Sequence, residues 1–305
     1  MLPTEKPPPA GAIPPAGLSQ ATSRPAAVDT RSPRRPSRRS LLTATRATVA
    51  WALALLTFFP IAWLIISTFK PAGETFTSGL PSHWTLSNLT YVLTQVPFPR
   101  YLLNSAFVSV VVTGVALMLH SMAAYALSRL QFRGRTLIFA LMVSTLLVSL
   151  PVILVPLFLI AKRLGMLDSY TGLIIPMIFN VFGIFLLRQY YLNFPTELED
   201  AAQLDGCSYF GLFFRVVIPL SRAPLASLAV LFFLANWNSF LWPLTITSNP
   251  NLDVIQVGIA SLQGQYSAAY NYVLAASLIA VIPTVVIFLI GQRWLVDSIK
   301  NSGLK

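Results

Sequence analysis

Negative charge is scarce in this chain: Asp and Glu together number 10 among 305 residues, against 21 Lys and Arg, which leaves a net charge of +11. In a soluble protein that excess would point to nucleic acid. Here only 10% of residues are charged and 55% are apolar, so the economical cause is Arg and Lys retained on one side of a membrane, and no nucleic-acid partner is expected. Cysteine occurs once, at Cys207, which excludes an internal disulfide and any multi-cysteine metal site. The two histidines, His83 and His120, are far apart. There is no G-x-x-x-x-G-K-[ST] phosphate loop and no G-x-S-x-G elbow, so nothing reads as catalytic, and neither a metal nor a bound cofactor is expected. No Asp or Glu falls within any long apolar run, which argues against ion-coupled secondary transport.

What the chain has instead is apolar runs of about twenty residues, the length that lets a helix satisfy its own backbone across a bilayer. The reading is an all-α polytopic membrane protein with six transmembrane helices, near residues 48–69, 101–127, 136–160, 170–187, 224–246 and 271–290. Residues 1–45, rich in Pro, Ala, Ser and Arg, read as a disordered basic cytoplasmic tail, and residues 46–305 as the membrane domain. Ser37-Arg38-Arg39-Ser40-Leu41-Leu42 looks like a twin-arginine export signal. The run behind it is strongly apolar and ends at Phe69-Lys70 without a cleavage box, so the tail reading is preferred. Arg129, Arg133, Arg135 and Arg188 fall in or beside loops on the inner side, which places both termini in the cytoplasm; Lys70, Arg100, Lys162 and Arg163 are the outer exceptions.

One inter-helix stretch, residues 194–224, is a polar island holding four of the acids: Glu197, Glu199, Asp200 and Asp205. A short helix is expected from Thr196, acting as N-cap with acids in the first turn, to Gly206 as terminator. Ala201 and Ala202 would give it a small-residue face for another protein. A second helix, residues 208–217, would present Tyr209, Phe210, Phe213 and Phe214 and end at Pro219. The alternative is an amphipathic linker lying on membrane lipid with Arg215 and Arg222 toward the headgroups.

Glu199-Asp200-Ala201-Ala202, then Asp205-Gly206, then Val216-Val217-Ile218-Pro219, resemble the EAA coupling-helix loop of ABC-importer permeases. Both alanines, Gly206 and Pro219 are in register; Asp200 stands where the pattern has Glu, and Cys207 where a small Ala is usual. Ala123-Ala124-Tyr125-Ala126-Leu127-Ser128-Arg129, Pro156-Leu157 with Gly165-Met166-Leu167-Asp168, Pro195 through Glu199, and Asn236-Trp237-Asn238 through Leu244 are similar to the carbohydrate branch, closest to the smaller six-span permease of maltose-type systems. Ser239 departs from the acid usual after Trp-Asn. The resemblance spans roughly residues 48–305. It implies a homologous second permease, two cytoplasmic ATPase subunits that hold ATP and Mg, an extracytoplasmic solute-binding protein, and an inner-membrane location. It also implies that residues 194–224 dock in an ATPase cleft, with Glu197, Glu199, Asp200, Ala201, Ala202, Asp205, Gly206 and Pro219 as the coupling residues. An amino-acid or peptide permease is the nearest rival within that class.

Asn180, Asn236, Trp237 and Asn238 are candidates for a substrate path, since an Asn beside a Trp suits a sugar; packing and helix–helix hydrogen bonding explain the same residues. His120 inside a span is a candidate functional group or a satisfied neutral histidine. Residues 248–271, with Asn249, Asn251, Gln256, Gln263, Gln265 and Tyr266, are either a binding-protein surface or a plain connection.

Overall fold

The computed structural model describes residues 38–265 and 270–302, all in helices and connections with no strand among them. Of the expected tail, residues 1–37 lie outside the described residues, as does Tyr266. The chain divides into two compact units, one ending at Leu56 and the other beginning at Thr57. Helix α1 (Arg38–Thr68) starts within the stretch expected as tail and is apolar enough to span a membrane over Thr45–Thr68. The remaining description concerns the second unit.

Proline stands beside the breaks in the third and fifth apolar runs, while Pro60, Pro156 and Pro283 lie inside continuous helices. A proline lacks the N–H that bonds the carbonyl four residues back and its ring clashes there, but it is tolerated in a first turn, where that N–H has no partner anyway. The third run, expected as one span over 136–160, is instead α4 (Arg135–Ser144) and α5 (Leu150–Arg163), bent by 107° so that Pro151 falls in the first turn of α5. The fourth is α6 (Tyr170–Ile178) and α7 (Val181–Leu192), separated by extended backbone at Phe179 and Asn180. The fifth, expected over 224–246, stops in α11 (Arg222–Trp237) and restarts as α12 (Leu241–Ile246) with Pro243 in its first turn. Among the described residues, four helices or helix pairs are long and apolar enough to cross singly, and the two sharply bent pairs bring the spans to as many as six.

The connections expected on the outer side are folded layers rather than plain loops. Between α1 and the second span lies α2 (Ser87–Thr94), whose Asn88 donates to the Thr68 and Lys70 carbonyls (2.8 Å each) and accepts from Asn271 at 2.7 Å. Lys70 is fully buried, donating to the Thr77 carbonyl at 2.7 Å and lying 4.8 Å from the Trp63 ring centre. Residues 247–270, expected as a polar connection, contain α13 (Ile255–Gln265), which buries Val257 and Leu262. Asn249 and Gln263 are exposed there. The sixth span is α14 (Tyr270–Ser302).

The second span, α3 (Phe98–Arg129), is the post of the unit, packing against α6, α7, α11 and α13. It is unbroken because its one proline, Pro99, sits in the first turn. Its polar side chains are buried where neighbours break. Asn104 donates to the Asn251 and Asp253 carbonyls (3.0 and 2.9 Å), and Ser105 accepts from the Ile255 N–H at 2.7 Å. His120 Nε2 accepts from the Asn180 N–H at 3.2 Å, in the gap between α6 and α7.

Close approach of α3, α7 and α11 requires a glycine at 183, because a Cβ there would lie 2.5 Å from the Phe232 ring and 2.7 Å from His120 Nδ1. Gly183→Ala is expected to destabilise the protein by about 1–3 kcal/mol through overpacking, read as a lower midpoint in thermal unfolding of the detergent-solubilised protein. A second prediction concerns Asp253, whose carboxyl is pushed up to about 6 by burial in the outer layer. An acid raised above its ordinary value of about 3.9 favours its protonated form when folded, so its stabilisation is fullest in acid and is lost as pH rises through the folded value. Amide exchange over residues 249–262, corrected for intrinsic rate, should accelerate as pH rises through about 6, and Asp253→Asn should remove that acceleration.

Candidate functional site

The polar island folds as an elbow. Its first limb is α8 (Thr196–Leu204), with Glu197 and Glu199 in the first turn, where the helix dipole favours carboxylates. Gly206 ends it in the left-handed conformation at φ +78°. The Cys207 N–H bonds the Ala202 carbonyl and the Asp205 N–H the Ala201 carbonyl, both at 3.0 Å, which satisfies the carbonyls of the last turn. Ser208 caps the second limb, its Oγ accepting from the Gly211 N–H at 3.2 Å.

That limb is α9 (Tyr209–Leu212), a wide π-turn over Phe213–Val217, and α10 (Ile218–Leu220). Pro219 does not end it, contrary to the expectation from sequence. The helix widens just ahead of the proline, where the Arg215 carbonyl loses its partner, and runs on to Leu220. The turn into α11 comes at Ser221, with a 77° bend. Ser221 Oγ holds the Val217 carbonyl at 2.7 Å, and Tyr190 Oη donates to the Leu220 carbonyl at 3.3 Å.

The acids and alanines of α8 divide between two faces. Glu197, Asp200, Ala201, Asp205 and Gly206 are exposed, together with Leu204 (89%), Tyr209 (61%) and Phe210 (67%). Glu199 and Ala202 turn inward, so the small-residue face expected of both alanines is supplied outward by Ala201 alone. Ala202, Leu212, Phe213 and Val217 join the buried core, with Phe213 against Tyr125 at 5.5 Å between ring centres. Pro219 is half-buried. Thus the elbow exposes both apolar side chains and carboxylates, on a base sealed to the protein.

Arginines organise the base. The end of α3 carries unpaired carbonyls and a negative dipole, which guanidinium groups complement. Arg188 donates to the Leu127 carbonyl at 3.1 Å and stacks 4.0 Å from the Phe139 ring centre, while Arg135 donates to the Leu130 carbonyl at 3.2 Å. Arg129 Nη2 donates to the Phe194 carbonyl, and its Nε lies 3.1 Å from Glu199 Oε1 in an ionic contact too oblique for a hydrogen bond. Burial raises the Glu199 carboxyl above its ordinary range and the Arg129 charge partly opposes the rise. Arg129 stood out in the sequence only as part of a motif. The signal that singles it out is its position as the last residue of α3 beside an acid-rich helix.

The path candidates are dispersed. Asn180 is exposed and caps α7, its Oδ1 accepting from the Phe182 N–H at 2.9 Å. Asn236 bonds back to the Phe232 carbonyl at 2.8 Å. Trp237 is buried, donates to the Ala280 carbonyl at 3.2 Å and stacks on Phe233, which is a packing role. Asn238 is exposed and accepts from Gln256 at 3.1 Å.

Residues 122–301, more than half of the chain and including the whole elbow, match the family described as binding-protein-dependent transport system inner membrane component. The chain belongs to that family. An arabinooligosaccharide transport permease, AraQ, of Halalkalibacterium halodurans is 34% identical over 83% of this chain and 93% of its own length. A lactose transport permease, LacG, of Rhizobium radiobacter is 30% identical over 87% and 97%. In fold, the chain is similar to a chain of a bacterial ABC transporter for import of the acidic polysaccharide alginate, with TM-score 0.74 and 22% identity over 86% of this chain and 99% of that one. Family membership and the spanning helices make this an integral inner-membrane transport subunit.

Gly206 tests the elbow geometry. A Cβ there meets nothing within 4 Å, so any penalty comes from its φ of +78° and not from crowding. Gly206→Val should cost about 1–2 kcal/mol and accelerate amide exchange over residues 200–208. Gly206→Asn, which tolerates that conformation, should stay near wild type. Equal exchange in the two variants would refute the assignment.

Proposed function

We propose that the chain is one permease of an ATP-driven importer that carries a carbohydrate, an oligosaccharide or related polyol compound, across the cytoplasmic membrane. The observation that carries the proposal is the elbow: Leu204, Tyr209 and Phe210 are exposed on it, together with the exposed carboxylates Glu197, Asp200 and Asp205. Aromatic and aliphatic side chains at such exposure on a soluble face are an unpartnered protein-binding surface. In this reading the partner is a cytoplasmic ATPase subunit, one of two, each holding ATP and Mg, because this chain has no phosphate loop of its own. A homologous second permease and an extracytoplasmic solute-binding protein complete the assembly. The family description and the oligosaccharide and lactose systems among the relatives support this composition and cargo class.

Residues 46–305 then form the permease domain and residues 194–224 its coupling loop, on the cytoplasmic side with both termini. Movement of the ATPases displaces the elbow and shifts the spans between inward-open and outward-open states. Asn180 and Asn238, both exposed, are the better placed of the path candidates for sugar hydroxyls. Asn236 and Trp237 support them from within the helix packing.

The test is recovery of partners. The C-terminally tagged chain, extracted from native membranes in mild detergent, should co-purify with a P-loop ATPase and a second permease, identified by mass spectrometry. The accompanying binding protein, loaded with candidate sugars, then identifies the cargo. A homo-oligomer in a detergent that preserves complexes would refute the importer; an amino-acid-binding partner would refute the carbohydrate cargo.

A further inference from the structure

Arg129 touches both α8 and the segment that leads into it. Its Nη2 donates to the Phe194 carbonyl, two residues before the helix begins, and its Nε faces Glu199 in the first turn at 3.1 Å. Both side chains are nearly enclosed, at 13% and 11% exposure. Arg135 and Arg188 are instead directed to the carbonyls of Ser128, Leu130 and Leu127. The other attachments of the elbow base are mainly apolar, through Ala202, Leu212 and Phe213. Apolar contacts resist separation but slide, whereas a guanidinium hydrogen-bonded to a carbonyl and held by an enclosed carboxylate in ionic contact opposes sliding as well. Glu199 therefore serves the interior, unlike the exposed Glu197, Asp200 and Asp205.

We propose that Arg129 is the positioning residue of the elbow, locking α8 to the end of α3 so that a push on the exposed tip moves α3 as one body with it. The proposal rests on the reading of the elbow as an ATPase docking element. The motion has a route onward. His120 ties α3 to the α6–α7 gap, and Asn104 and Ser105 tie it to the outer layer at Asn251, Asp253 and Ile255. One unbroken helix thereby connects the docking surface to a broken span and to the outer face.

The experiment uses the whole complex in nanodiscs with spin labels at Leu103→Cys and Leu198→Cys. Cys207, the one native cysteine of the chain, is replaced by Ser. Both label sites are exposed, and Leu103 lies about 39 Å along α3 from Arg129 at 1.5 Å per residue, a separation suited to pulsed electron–electron resonance. With Arg129 present, the distance should keep one narrow distribution, unshifted between nucleotide-free and ATP–vanadate states. In Arg129→Met the distribution should broaden and shift with nucleotide. If Arg129→Met fails to fold or assemble, Glu199→Gln, which keeps the side-chain shape and the Phe194 bond, should broaden the distribution likewise. A distribution as narrow and unshifted in the variants as in wild type overturns the positioning role while leaving docking intact. Absence of any ATPase from the wild-type complex overturns the docking reading itself.

Discussion

Inside a bilayer no water is available to a backbone carbonyl or N–H that loses its helical partner. This chain loses many, because proline recurs through its apolar runs. The structure meets that constraint by side-chain replacement. Pro176 leaves the Gly172 carbonyl without an N–H, and the Trp242 indole supplies one at 3.0 Å. The gap between α6 and α7 frees the Asn180 N–H, and His120 accepts it at 3.2 Å. The break between α12 and α13 is closed by Asn104, Ser105 and Asp168, whose carboxylate accepts from the Asn249 N–H at 2.9 Å.

Most of these replacements come from α3, which explains a composition that would otherwise look costly. A membrane helix burying Asn104, Ser105, His120 and Ser121 loses hydration for every polar atom. The cost is offset where each atom stands in for a missing backbone partner or bonds a neighbouring helix, as Ser121 does with Tyr191 Oη at 2.6 Å. In the proposed coupling, the helix that holds its neighbours at their breaks is the element through which displacement of one would reach the others, with Arg129 extending that set to the elbow.

The elbow shows how spacing along a sequence leaves the faces of a helix unassigned. Spacing alone placed Glu199 and Asp200 side by side. At 100° per residue, adjacent positions diverge, so one faces Arg129 and the other faces out. The same holds for Ala201 and Ala202. Which member of each pair turns inward depends on where α8 lies against α3 and α9, and no local preference carries that information.

The sequence by itself determined the all-helical membrane architecture, because apolar runs of bilayer length admit no other element. It also determined the elbow's place in the chain and the turn at Gly206, since a lone glycine after an acid-capped helix is a local signal. Only the tertiary structure decided where the third and fifth runs break, and that the stretches 70–100 and 247–265 are folded layers. Pro151 and Pro243 mark possible breaks, but whether a helix bends, restarts or carries on, as it does past Pro219, depends on which neighbour supplies the missing hydrogen bond. The role of Arg129 was equally out of reach, because a contact between residues 129 and 199 exists only once α3 and α8 are packed together.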